Sequence, residues 1–355
     1  MKFSEYIKEY KWKINDVIKS IYDKKLQSIK NPFLKEYYLE LKDYFLAGGK
    51  RIRPLLCIAT YNAFKDKKDE NIIYPSVGTE FLHNASLIHD DIIDKDDFRR
   101  GKPAFHFRFQ NYHQNYNLKK MEAQEFGNSI GIIGGDSAFI MGLEAYFFNN
   151  FDKEFNLQAI KYYEQAFLDI ISGVLIETDM VNQTDLTLSD YIEMVSLKTG
   201  ALIEKSILIG ANYANVSEEF IKYLSIYGTN VGIIFQIIDD ILGTFGDENI
   251  TGKPTDGDIR ENKLTALKIN ALNGLNDSKK SQLLKLLENP NMNKDDVEKV
   301  KELFIEADAI NSCKELANKY YQKASSSLDD LKSTINQSEA EFFENLLNFV
   351  IERKF

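Results

Sequence analysis

The chain has 355 residues, 44% of them hydrophobic, with 54 acidic against 44 basic side chains and a formal net charge of -10. That acidic surplus argues against a non-specific nucleic-acid binder, which depends on neutralising phosphates. The length supports a sizeable core in one large domain or two ordinary ones, and six prolines among abundant Leu, Ile, Lys and Glu favour helices over a turn-rich β architecture. Cys57 and Cys313 stand in unrelated contexts without CxxC spacing, as expected of reduced thiols in a cytosolic protein. The N-terminus is charged throughout with no apolar stretch of a signal peptide, and no apolar run approaches the ~20 residues of a membrane span. A cytoplasmic protein is expected.

In chain order, residues 4–30 place Tyr6, Ile7, Tyr10, Ile14, Val17, Ile18 and Ile21 at helical spacing. Pro54, just after GGKRI, suits the start of a helix running to about Phe64. Residues 78–95 and 223–245 read as strongly apolar helices, each with aspartates near its C-terminal end. Residues 155–182, 187–210 and 216–229 read as further helices, as do several after Asp277. Residues 107–125 are polar and aromatic, an inserted loop or an exposed helix. Residues 246–263 read as a long polar loop, and another loop lies around Asn289–Asp296. One all-α domain spanning 1–355 is expected, with a charged helical region from about 297.

Three segments carry chemistry. In HNASLIHDDIIDKDDFRRGKP (83–103), Asp90 and Asp94 lie four apart and share one helix face. Two carboxylates there repel, and the apolar surroundings of Leu87, Ile88, Ile92 and Ile93 raise the cost. A cation should compensate; magnesium, with its preference for oxygen ligands and phosphates, fits. Arg99 and Arg100 follow with forked donors suited to phosphate oxygens. FQIIDDILGTFGD (235–247) again sets adjacent aspartates, Asp239 and Asp240, in an apolar run. Facing helices of a bundle, with both carboxylate sets turned to one metal–diphosphate site, explain the pair economically. In GGKRIRP (48–54) the glycines permit close backbone approach, the helix N-terminus favours an anion, and Lys50 and Arg53 make a two-pronged grip. The spacing differs from a nucleotide P-loop.

Together, GGKRIRP, HDDIID with RRGKP, KTG at 198–200, FQIIDD and GKPTDGDIRENK resemble the polyprenyl synthetase family, the trans-isoprenyl diphosphate synthases, from about Gly48 to Lys263. The resemblance implies an all-α isoprenoid-synthase bundle with a central substrate cavity, working as a homodimer. It implies magnesium, about three ions with the allylic diphosphate, held by Asp90, Asp91 and Asp94 of the first motif and by Asp239 supported by Asp240. Gly49, Lys50, Arg53, His83 and Arg100 would hold isopentenyl diphosphate. Arg99, Lys198, Lys253 and Lys263 would hold the allylic diphosphate, with Thr199 and Gln236 beside the developing positive charge. The implied reaction ionises the allylic diphosphate, joins the isopentenyl double bond to the cation, and leaves pyrophosphate to remove the proton.

The chain departs from the family pattern in three places. Gly243 stands where many members have a third aspartate. GVLIE replaces GQxxD, so that Val174 replaces Gln and Glu177, which could still reach the metal's water shell, replaces Asp. Residues 107–125 look inserted. The product should grow back along the helix of Asp90, where Ser86 and Ala85 leave the way open. Phe81, one turn of ~5.4 Å further, is either the floor, for a product of about twenty to twenty-five carbons, or a core residue. Geranylgeranyl diphosphate or a longer homologue is the expected product. The rivals are a class I terpene cyclase, which has no use for GGKRIRP or the arginine pair, and a non-catalytic subunit of a heteromeric synthase, which should have lost aspartates or lysines.

Overall fold

The computed structural model describes residues 2–183, 186–246 and 255–353. Helices dominate, and they pack as two compact units: residues 1–164 with 206–216, and residues 165–205 with 217–355. Cys57 and Cys313 are buried and free.

In the first unit, α1 (Phe3–Gln27) buries Tyr6, Tyr10, Ile14, Ile18 and Ile21, the stripe expected from their spacing. Next, α2 (Pro32–Leu46) begins at Asn31, whose side chain accepts from the Leu34 amide at 3.1 Å, with Pro32 at the first helical position. Helix α3 (Ile52–Ala63) begins two residues before Pro54. Helix α4 (Ile73–Ile93) is buried over most of its length and ends in the first aspartate motif: Asp94 caps it and Lys95 turns left-handed at φ 57.

A small antiparallel hairpin follows, β1 (Phe98–Arg99) with β2 (Lys102–Pro103), pairing Arg99 with Lys102. Its two-residue turn has φ 54 at Arg100 and φ 72 at Gly101, so both central residues are left-handed, as such hairpins prefer. The segment that looked inserted forms most of α5 (Phe105–Asn115). Helix α6 (Ala123–Gly142), unanticipated because its many glycines blur the apolar period, packs on α4 and α5. Those glycines allow the close approach: a Cβ at Gly135 would fall 2.1 Å from the His89 ring. The first unit also holds α7 (Glu144–Phe147), the start of α8 (Lys153–Met180) and the end of α10 (Ala201–Ala214).

In the second unit, α9 (Leu188–Val195) starts from a Thr187–Asp190 capping box and passes into a π-helical turn, Ser196–Gly200. The expected helices 216–229 and 223–245 are one, α11 (Glu218–Phe245), against which the helix Ala309–Asp329 packs. A short helix at Gly257–Arg260 interrupts the expected polar loop. The segments Ala123–Phe147 and Glu218–Phe245 are long and apolar enough to cross a membrane by length and composition alone, which the sequence reading had not anticipated; 44% and 56% of their apolar windows are buried in the fold.

Candidate active site

The first unit builds a cationic pocket. Gly48 and Gly49 take φ 125 and 100, and Arg51 is left-handed at φ 59, so the chain turns sharply into α3. Arg51 points inward: its guanidinium bonds Glu80 Oε1 at 2.6 Å, Asn15 Oδ1 at 2.9 Å and the Phe45 carbonyl at 2.6 Å. Burial would raise the Glu80 carboxyl, but Arg51 foremost among nearby arginines holds it below its ordinary value. With Arg51 tucked away, Lys50 stays exposed. Arg53 packs with its Nε buried and without a hydrogen-bond partner, and burial pushes its guanidinium down to about 10. The Arg100 guanidinium lies over the glycine turn, with Nη1 3.4 Å from the Gly48 carbonyl. Burial, and then the charges of Arg53, Arg100, Arg99 and Arg51, push His83 well below the usual imidazole range. An anionic ligand would be favoured beside such a concentration of cations.

The first aspartate motif divides by burial. Asp90 and Asp94 are half-buried at the end of α4, where the helix dipole adds to their repulsion. Asp91 is fully buried; Tyr44 donates to its Oδ2 at 3.1 Å and Arg99 forms a close ion pair with its Oδ1. Burial opposes the charge on Arg99, and Asp91 more than offsets it. Asp91, expected among the metal ligands, therefore has the surroundings of an anchor that aims Arg99. Phe81 is fully buried with its ring 5.6 Å from Tyr22 and 4.8 Å from Phe45, so it joins the aromatic core of α1 and α2. Ala85 is buried; Ser86 is half-buried and donates to the His83 carbonyl at 2.8 Å.

The second unit links three of its expected residues, Thr199, Gln236 and Asp240, into one chain. Thr199 Oγ donates to Gln236 Oε1 at 2.9 Å, and the Gln236 amide donates to Asp240 Oδ1 at 2.9 Å. Tyr191 donates to Asp240 Oδ2 at 2.7 Å and the Ala266 amide to the same oxygen at 3.3 Å. Burial, with some help from Asp258, raises Asp240 to about 7 against these donors. Thr199 lies in the π turn, a feature frequent at functional sites, and Lys198 of the same turn pairs with Glu177. Asp239 is more exposed and pairs with Arg353 at 3.1 Å, a side chain that also lies 4.7 Å over Phe235.

Residues 35–304 match the sequence profile of the polyprenyl synthetase family. The chain belongs to that family. It is 30% identical to the geranylgeranyl diphosphate synthase of Sulfolobus acidocaldarius over 99% of both chains. It is 35% identical to a short chain isoprenyl diphosphate synthase of Methanocaldococcus jannaschii over 75% of both. Among solved structures, the geranylgeranyl pyrophosphate synthase of Corynebacterium glutamicum, complexed with isoprenyl diphosphate and magnesium, superposes with a TM-score of 0.91, at 25% identity and full coverage of both chains.

One departure from the polyprenyl synthetase pattern has a local explanation. At Gly243 a Cβ would lie 3.1 Å from an Asp258 carboxylate oxygen, so a third aspartate would meet a like charge. Glu177, expected near the metal's water shell, pairs with Lys198. Lys263 bonds Glu261 at 3.0 Å and lies 4.0 Å from Asp258; Lys253 lies outside the described residues. In the first unit, Asp90 and Asp94 offer oxygen donors of the kind a hard cation takes, at a helix C-terminus; in the second, the Asp239 carboxylate is occupied by the Arg353 guanidinium. Sequence reasoning missed Arg51, Glu80, Tyr44 and Tyr191. Arg51 was legible as a third cation in GGKRIRP, but nothing local in the sequence marks the other three.

Proposed function

We propose that this chain is a magnesium-dependent trans-prenyltransferase that extends an allylic diphosphate with isopentenyl diphosphate, ending at geranylgeranyl diphosphate or a somewhat longer homologue. The observation that carries the reading is the cationic pocket of Arg53, His83 and Arg100, with its buried, unsatisfied Arg53 Nε, on the same helical unit as the Asp90–Asp94 pair.

In this reading Gly49, Lys50, Arg53, His83 and Arg100 bind isopentenyl diphosphate. Arg99, Lys198, Lys253 and Lys263 bind the allylic diphosphate, with Arg99 aimed by Asp91. Asp90, Asp94 and Asp239 would hold magnesium, which when bound neutralises the departing diphosphate. Thr199 spends its proton on Gln236, which leaves its oxygen lone pairs available to a developing allylic cation. Asp240 keeps Gln236 in register by accepting from its amide. Released pyrophosphate serves as the base.

The homodimer and the cytoplasmic setting belong to the same proposal. Ile132, Ile133 and Ile140 on α6 are each more than half exposed, which suits a face covered by a second copy. Light scattering on a sizing column tests that. The activity is tested by incubating the protein with magnesium, labelled isopentenyl diphosphate and farnesyl diphosphate. A labelled product one isoprene unit longer is expected; none with any allylic primer would overturn the transferase.

A further inference from the structure

We infer that Arg108 is a positioning residue that moors the Arg99–Arg100 hairpin to α2, an inference that rests on the prenyl-transfer reading above. Arg108 falls in the 107–125 segment, for which the family pattern gives no use. Its side chain is only 9% exposed. Nε donates to the Pro103 carbonyl at 3.0 Å, and Nη1 donates to Glu40 Oε2 at 2.8 Å, Asp43 Oδ2 at 2.9 Å and the Glu40 carbonyl at 3.3 Å. The guanidinium carbon also lies 5.9 Å from the centroid of the Tyr44 ring.

An arginine needed only to hold α5 would have no reason to reach two separate elements. Aromatic packing already seats that helix: Phe109 lies 6.2 Å from Phe33 and 6.1 Å from Tyr37. Arg108 instead grips the end of β2 with one edge of its fork and α2 with the other. Lys102, also on β2, reaches Asp43 at 3.2 Å, so one carboxylate receives two cations from the hairpin side. Burial pushes the Asp43 carboxyl up, and the bonds from Arg108 and Lys102 outweigh it, holding the group below its usual range.

The other strand is moored to α4, at a carboxylate that α2 also holds. Tyr44 of α2 bonds Asp91, which holds Arg99 on β1. The hairpin is thus held on two sides, by Arg99 to Asp91 of α4, which Tyr44 of α2 also bonds, and by Lys102 and Arg108 to α2 directly. Between the moorings stands Arg100, left-handed at φ 54. Its guanidinium reaches the glycine turn only while the hairpin stays in place. Loss of Arg108 leaves β2 held to α2 by Lys102 alone and loosens the turn that carries Arg100.

The experiment compares Arg108→Met with wild type in steady-state kinetics, alone and in an Arg100→Ala background, with thermal melts of all four proteins. We expect the KM for isopentenyl diphosphate to rise about 10-fold with kcat within about twofold, since small displacements of a binding group have effects of this size. In the Arg100→Ala background the same substitution should change KM little, because the group it positions is gone. An unchanged KM with a lowered melting temperature would overturn the inference and leave Arg108 a structural residue. An equal effect in both backgrounds would also overturn it. If Arg108→Met does not fold, Asp43→Asn loosens the same mooring from α2 and carries the same two comparisons. A wild type without elongation activity fails the functional reading itself, which these comparisons separate from the role of Arg108.

Discussion

Arg51 and Glu80 form an ion pair at 2.6 Å with side chains 0% and 3% exposed, beneath residues assigned to diphosphate binding. Removing one partner leaves an uncompensated buried charge, which typically costs about 3–5 kcal/mol. Glu80→Ala should lower stability by that order in urea unfolding. Replacing both partners with apolar residues of similar volume should cost less than Glu80→Ala alone, and a double variant as unstable as the single would contradict this account.

If Asp239 binds magnesium as proposed, it must give up its bond to Arg353. The pair is partly exposed, so the competition is modest, about 0.2–1 kcal/mol. Arg353→Ala should tighten magnesium binding by roughly 1.5- to 5-fold in titration calorimetry without substrate. Weaker binding would mean that Arg353 assists the metal.

The position of His83 among arginines gives a pH dependence. Its folded-state pKa is depressed, so below the unfolded value of about 6.5 the unfolded chain holds a proton that the folded chain does not. Stability should therefore be fully present above that pH and fall as pH drops, by up to about 1.4 kcal/mol per unit. Pyrophosphate bound beside His83 would favour its charged form, so binding near pH 6 should take up a proton. Calorimetry in two buffers of different ionisation enthalpy measures this, and equal heats would rule it out.

Product length separates Phe81 from Ala85 and Ser86. With Phe81 packed between Tyr22 and Phe45, Phe81→Ala should cost about 3–5 kcal/mol and leave product length unchanged. Ser86→Phe should shorten the product. Chromatography of the products reads both, and longer chains from Phe81→Ala would restore Phe81 as the floor.

Much of this was legible in the sequence because charge and period are local properties. The stripe on α1 and the aspartates near the ends of α4 and α11 needed no partner to be recognised. What escaped depends on distant neighbours. Helix α6 hides its period because glycines stand where α4 and α5 come close. Asp90 and Asp91 look alike on paper; only Tyr44, 47 residues earlier in the chain, and Arg99 mark Asp91 as an anchor. Phe81 could be read two ways until Tyr22 and Phe45 were placed beside it.

The π turn at Ser196–Gly200 carries one residue more than the α-helical ladder accommodates. Deleting a single residue there would restore an ordinary helix and rotate everything on one side of the cut by about 100° relative to the other. Thr199 would then turn away from Gln236, although every side chain in both segments had been kept. At this point the chain's chemistry depends on a count of residues as much as on their kinds.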